Sequence, residues 1–445
     1  MNPRSLWDEL RRYGYVFSWK KSALTYAVGV VATVALGAFF RLQGIFLVTL
    51  CLWAILLLPL FMRNIYRNRY AQQQFMEANI YLEQFLYSFQ KSGKVLTTLE
   101  DVQKLFPKGE MKKVLDEAIY HINHTYGEND VMEKALEKIG SAYPVSQIAT
   151  MHRFALQVER DGGECTESIL LMLDARRMWA DRVYELLKEK GRKRVQILVS
   201  ICFSLLLCTL LVLVANRMDV DIAQYAVTKV STLVVLMLDF YIFYRADCRL
   251  STGYMEEELD QEDYLRQYEK VKKCTRTGKR QLGHFIAKRN VTRGIQMVFP
   301  RWLMEVSLLL QSENVQVAIM KSYEDAPKLL QPELKILIER LRLHPTEMEP
   351  YLSFLQDYPL PEIQSAMKML YSISEGTGGN ASSQIADIIR RNQVLLNKAE
   401  RMKNEDALAG MYALFLAPQL TGAMKLLTDM LVIFYGIVQA GTLPL

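Results

Sequence analysis

The chain has 445 residues, 51% hydrophobic and 23% charged, with a net charge of +6. That apolar content excludes a wholly disordered chain, and the charge is too mild to mark a nucleic-acid binder. Six cysteines without a CxxC pair exclude a disulfide scaffold. Cys51, Cys202 and Cys208 lie inside apolar runs as small core residues, in keeping with a reduced, cytoplasm-facing protein.

The mean hydropathy of +0.03 averages very apolar and very polar segments. A helix needs about 20 apolar residues to cross a bilayer. Residues 1–22 are charged and aromatic (Trp7, Tyr13, Tyr15, Phe17, Trp19) and lack a clear small-residue cleavage site. They predict an interfacial helix leading into a signal anchor rather than a cleaved signal peptide. Residues 23–62 hold two uncharged apolar runs separated by Arg41, Leu42 and Gln43, which predicts a transmembrane hairpin. Residues 195–244 form a second hairpin, with Lys229 and Asp239 in its second run. Residues 408–438 are a weaker fifth span containing Pro418, Lys425 and Asp429. A charge at the bilayer centre costs roughly 2.5–3.5 kcal/mol. Lys425 and Asp429 are four apart, so they share a helix face and are expected against a protein neighbour.

Basic residues set the orientation. Arg4, Arg11, Arg12, Lys20 and Lys21 precede the first span, and Arg63, Arg67 and Arg69 follow the second. Lys188, Lys190, Arg192, Lys193 and Arg194 precede the third, and Arg245 and Arg249 follow the fourth. All four groups fall on one side if the hairpins alternate, so residues 63–194 and 245–407 are expected in the cytoplasm and the C-terminus outside.

Both large segments read as helical. Ile169, Met172, Leu173, Arg176, Ala180, Val183 and Leu187 step by three and four, as do Ile385, Ile388, Ile389, Asn392, Leu396 and Ala399. No alternating strand pattern competes with them. The segments also repeat each other. Gln90 corresponds to Gln311, Pro107 to Pro327, Tyr143-Pro144 to Tyr358-Pro359, Glu159 to Glu375, and Gly162-Gly163 to Gly378-Gly379. Duplication predicts two similar helical domains, 63–194 and 297–407, each feeding a membrane helix. Residues 245–296 between them read as a charged linker, its acidic run followed by Lys270, Lys272, Lys273, Arg276, Lys279 and Arg280. That stretch is either a solvated helix or a basic docking surface for an acidic partner or lipid head groups. The fold class expected is therefore all-α: a polytopic membrane protein with two repeated helical domains and about five transmembrane helices.

No phosphate loop, GxSxG, HExxH or EF-hand pattern occurs, and nothing assembles a nucleophile, base and oxyanion site. His121 and His124 share a helix face without a third ligand nearby, so no metal or other cofactor is expected. Glu159 and Glu375, each before a double glycine, have two readings. The glycines end one helix and the carboxylate sits on that turn, or the carboxylates form a contact or cation site between the bundles.

The stretches "LQVERDGGECTESILLML", "LYSISEGTGGNASSQIADII" and "YLEQFLYSFQKSGKVLTTLEDV" resemble the type II secretion F-domain family over roughly residues 77–438. Its members are inner-membrane platform proteins of type II secretion, type IV pilus and Tad (Flp) pilus assembly. The resemblance implies a non-enzymatic, multi-pass protein of the bacterial inner membrane that couples a cytoplasmic ATPase to pilin subunits and forms homo- or hetero-oligomers. It directs attention to the turns at Glu159, Gly162, Gly163, Glu375, Gly378 and Gly379 as partner contacts. The chain departs from the family pattern in combining an N-terminal hairpin with two domains, and in placing Gly376 and Thr377 where the first turn has Arg160 and Asp161. A small-molecule transporter or channel subunit is the competing reading, and a membrane-tethered signalling enzyme a third.

Overall fold

The computed structural model describes residues 9–14, 18–125, 130–162, 166–218, 221–251, 261–277, 282–310, 313–358, 360–376 and 381–439. Trp7, Tyr15, Phe17, Gln311 and Pro359 lie outside them. Among the described residues every regular element is a helix. The chain divides into two compact units, one of Met1–Gln73, Tyr184–Tyr254 and Leu408–Leu445, the other of Gln74–Val183 and Met255–Ala407.

The first unit contains α1 (Trp19–Phe39), a short 3-10 turn (Ile222–Gln224), α8 (Ala226–Leu250) and α16 (Met411–Gln439). Two longer helices, α2 (Ile45–Ser92) and α7 (Thr166–Arg217), contribute residues to both units. These five α-helices are long and apolar enough to cross a membrane, the make-up of a multi-pass membrane protein. No more than 33% of the most apolar window of any of them is buried. Their outward residues, such as Leu52, Leu210 and Leu427, are apolar as well, which is the pattern of a lipid-facing helix rather than of a water-facing one.

The turn between α1 and α2 is a Schellman motif. Leu42 N–H donates to the Gly37 carbonyl at 2.9 Å across Arg41, whose φ is 54°. A left-handed non-glycine residue costs about 1–2 kcal/mol, and burial of Leu42 against Leu50 and Leu236 offsets it. Trp53 Nε1 donates to the Met237 carbonyl at 3.2 Å, tying α2 to α8. α7 meets α16 closely: Ser200 Oγ donates to the Phe415 carbonyl at 2.8 Å. Gly422 one helical stretch further faces Ser204, and any Cβ there would strike that hydroxyl.

The second unit holds the rest of α2 and α7 together with α3 (Val95–Gln103), α4 (Glu110–His124), α5 (Val131–Ala142) and α6 (Ser146–Asp161). It also holds α9 (Gln261–Thr277), α10 (Leu282–Leu309), α11 (Val315–Lys321), α12 (Gln331–Leu343), α13 (Glu349–Ser353), α14 (Pro361–Ser374) and α15 (Ala381–Leu408). The short helices bury one stripe each, for example Val95, Thr98, Leu99 and Val102 of α3 and Met111, Leu115, Ala118 and Ile119 of α4. Phe75 packs edge-on to Trp179 at 5.1 Å between ring centres, joining α2 to α7. Trp302, wholly buried on α10, donates through Nε1 to Ser322 Oγ at 2.9 Å.

Two sequence expectations change here. Residues 245–296 are not simply a solvated linker: α9 turns Tyr264, Tyr268 and Val271 onto the core built around α10, and Lys272 pairs with Glu333 at 3.1 Å. The second long helix does not run straight into the last span either. α15 ends at Leu408 and α16 begins at Met411, with Gly410 between them at φ +80°. Arg249 Nη1 occupies the space a Cβ at Gly410 would need. α7, by contrast, is one unbroken helix of 52 residues.

Candidate functional site

The first glycine turn is a structural joint. Lys94 is the N-cap of α3, and its side chain makes no capping bond. Glu159, near the end of α6, supplies one instead: its Oε2 accepts the Val95 N–H at 3.1 Å. A carboxylate at a helix N-terminus satisfies an orphan donor and complements the helix dipole. Ser92 Oγ sits beside it, 3.0 Å from Thr98 Oγ1. Gly162 then leaves α6 at φ +72°, a backbone that side chains resist. Gly163 lies outside the described residues.

The second turn is built differently. Glu375 is exposed and forms the C-cap of α14, its N–H donating to the Tyr371 carbonyl and the Gly376 N–H to the Ile373 carbonyl, each at 3.1 Å. α11 is capped locally, by Asn314 Oδ1 accepting the Val317 N–H at 2.9 Å. Gly376 takes the left-handed backbone at φ +64°. Gly378 and Gly379 lie outside the described residues. Glu159 and Glu375 thus do different jobs. Among the described residues no group of three or more His, Cys, Asp or Glu converges as a metal-ligand set. His121 and His124 have local partners, Thr125 Oγ1 at 3.2 Å and the Tyr120 carbonyl at 3.0 Å.

Each long stripe carries one polar residue, and both have partners. Arg176 on α7 donates to Asn79 Oδ1 and Glu83 Oε1, each at 2.9 Å. Asn392 on α15, fully buried, donates through Nδ2 to the Pro300 carbonyl at 2.7 Å. Within the second unit the two halves of the chain also meet directly. Arg153 of α6 bridges Glu305 at 2.8 Å and Asp325 at 2.6 Å. Burial pushes the Glu305 carboxyl up, against the opposing pull of Arg153. Arg182 Nη1 donates to the Asn397 carbonyl at 2.8 Å. Beside these contacts is a cavity of about 90 Å³, lined by Leu86, Met151, Met172, Trp179 and Met304 among others. None of this seam was visible in the sequence, because its partners are far apart along the chain.

A buried pair closes the first half of the same unit. Tyr81 hydroxyl lies 2.7 Å from His152 Nε2, and neither side chain meets solvent to any extent. Burial pushes His152 down to about 3, so its imidazole is neutral.

In the first unit Lys425 and Asp429 are buried and paired with each other on α16. Asp239 of α8, also buried, accepts from Thr421 Oγ1 at 3.1 Å, one turn before Lys425. The sequence marked Asp239 only as a charge inside a span. Helix packing brings it to α16, and its signal was the depth of an acidic residue within an apolar run.

No family model, no curated protein and no solved structure matches this chain.

Proposed function

We propose that the chain is an inner-membrane platform protein of a secretion or pilus assembly machine, of the type II, type IV pilus or Tad kind. It would link a cytoplasmic ATPase to the assembly of pilin subunits. One observation carries the reading: the 52-residue helix α7 belongs at its start to the polar unit and over its apolar half to the unit of candidate membrane spans. At 1.5 Å per residue such a helix is about 78 Å long. A displacement of its first turns by a motor reaches the apolar turns as a rigid-body shift.

The duplication expected from the sequence gains support from matching contacts. Arg176 and Asn392 hold equivalent places on their two stripes; Arg176 bonds to α2 at Asn79 and Asn392 to α10 at the Pro300 carbonyl. The order of helices from α2 to α7 is also matched by the order from α10 to α15. Basic residues flanking the apolar runs support a cytoplasmic position for the polar unit. The role is mechanical, and no catalytic constellation is required.

The test is cross-linking and purification of the full-length protein from its native membrane. Recovery of a hexameric ATPase and pilin-like subunits is expected. A glycine insertion after the exposed Gly191 should then abolish pilus or secretion output while leaving ATPase binding intact. Output unchanged by the insertion, or solute flux by the purified protein alone in proteoliposomes, would refute the platform reading.

A further inference from the structure

Among the buried ionisable side chains of the apolar unit are Asp239 on α8 at 4% exposure, and Lys425 and Asp429 on α16 at 2% and 0%. With all three charged the cluster carries two negative charges and one positive. Lys425 is committed to Asp429. Asp239 has the Thr421 hydroxyl on Oδ1 and no partner on Oδ2. The other groups around it do not close the balance. α7 presents Cys208, whose thiol lies 3.9 Å from the Gly422 carbonyl, and the Ser204 hydroxyl, which has no partner. α2 and α8 meet through apolar residues and Trp53. Lys229 lies ten residues from Asp239 on the same helix, about 15 Å along the axis, too far to pair with it.

One member of the cluster, Lys425, borders a cavity. This cavity of about 50 Å³ is lined by Arg41, Thr209, Thr228, Lys229, Thr232 and Lys425, which is room for roughly three or four waters. Arg41 at its mouth is solvent-exposed and 3.8 Å from Asp221. Thr228 Oγ1, on a residue only 5% exposed, has no partner and belongs to the cavity wall.

We propose that this cluster is a proton-binding site, with Asp239 the group that takes one proton. A proton closes the charge count and supplies Oδ2 with a hydrogen. A metal cation is disfavoured, because the cluster already holds the Lys425 ammonium and Lys229 lines the neighbouring cavity. The proton-loaded acid keeps the α8–α16 contact neutral, and its release leaves an uncompensated charge between those two helices. The inference does not depend on the platform reading; it needs only an apolar environment around the spans.

The test uses the full-length protein in lipid nanodiscs and infrared difference spectroscopy. A carboxylic C=O band is expected in mildly acidic buffer, disappearing on alkalinisation, and missing from Asp239→Asn. Asp429→Asn should retain it. If Asp239→Asn does not assemble, Thr421→Val gives the readout, since loss of the hydroxyl contact should shift the band. No band in the wild type, a band that survives in Asp239→Asn, or an unshifted band in Thr421→Val would overturn the proposal. Stoichiometric retention of radioactive sodium would also overturn it, by assigning the site to a metal cation.

Discussion

Acidification should loosen the polar unit through His152. In the folded protein burial holds this imidazole at about 3, against 6.5 for an ordinary histidine. Between those values the unfolded chain binds a proton that the folded chain does not. The contribution of His152 is therefore complete above pH 6.5 and is lost as pH falls towards 3. Each full pH unit is worth about 1.4 kcal/mol and the unfolded imidazole is half-protonated at its ordinary pKa, so from about pH 6.5 to about pH 4.5 the loss is about 2.3 kcal/mol. Tyr81 sharpens the expectation, because burial keeps its phenol neutral and 2.7 Å from Nε2. The assay is urea unfolding of the full-length protein at a series of pH values, followed by the fluorescence of the buried Trp179 and Trp302. His152→Gln keeps a partner for Tyr81 and removes the titrating group, so its stability should fall less over the same interval. Equal losses in wild type and His152→Gln would show that His152 is not the sensor.

Four further outcomes follow from the contacts. Glu159→Ala should destabilise the unit by about 1 kcal/mol through loss of the α3 cap, whereas Glu375→Ala at the exposed second turn should stay within about 0.5 kcal/mol; paired denaturation curves compare them. Gly422→Val should lose about 1–3 kcal/mol or fail to assemble, because α7 and α16 must separate to admit the side chain. Gly191→Ala, with open space around it, serves as the control in a detergent thermal-stability screen. A double-mutant cycle on Arg153 and Glu305 should return a coupling of about 1 kcal/mol or less, screened by salt, since the arginine side chain is 41% exposed.

The spans were legible because length and absence of charge suffice to identify them, and α1, α2, α7, α8 and α16 cover the expected runs. The stripes from Ile169 and Ile385 were legible for a similar reason, since a 3.6-residue period needs no knowledge of the partner. What those stripes touch was not. Asn392 bonds to a backbone carbonyl, a kind of partner that leaves no side-chain signature. Charge density hid the packing of α9, although Tyr264, Tyr268 and Val271 already had helical spacing. The two glutamates looked equivalent in the sequence. Their roles diverged because Asn314 caps its own helix and Lys94 cannot. Asp239 was visible, but its meeting with Thr421 depends on how two helices slide past each other, which no single-helix pattern encodes.

Gly410 gives the two polar-to-apolar passages of the chain unequal mechanics. α7 is a drive shaft: twist applied at one end must appear at the other. The passage from α15 to α16 contains a bend at Gly410, with the Arg249 side chain lying against it and Leu408 and Met411 packed on Ile197, Ala246 and Leu250. On the platform reading, a turn of α15 is not carried stiffly into the last helix, because the backbone between them bends at one glycine.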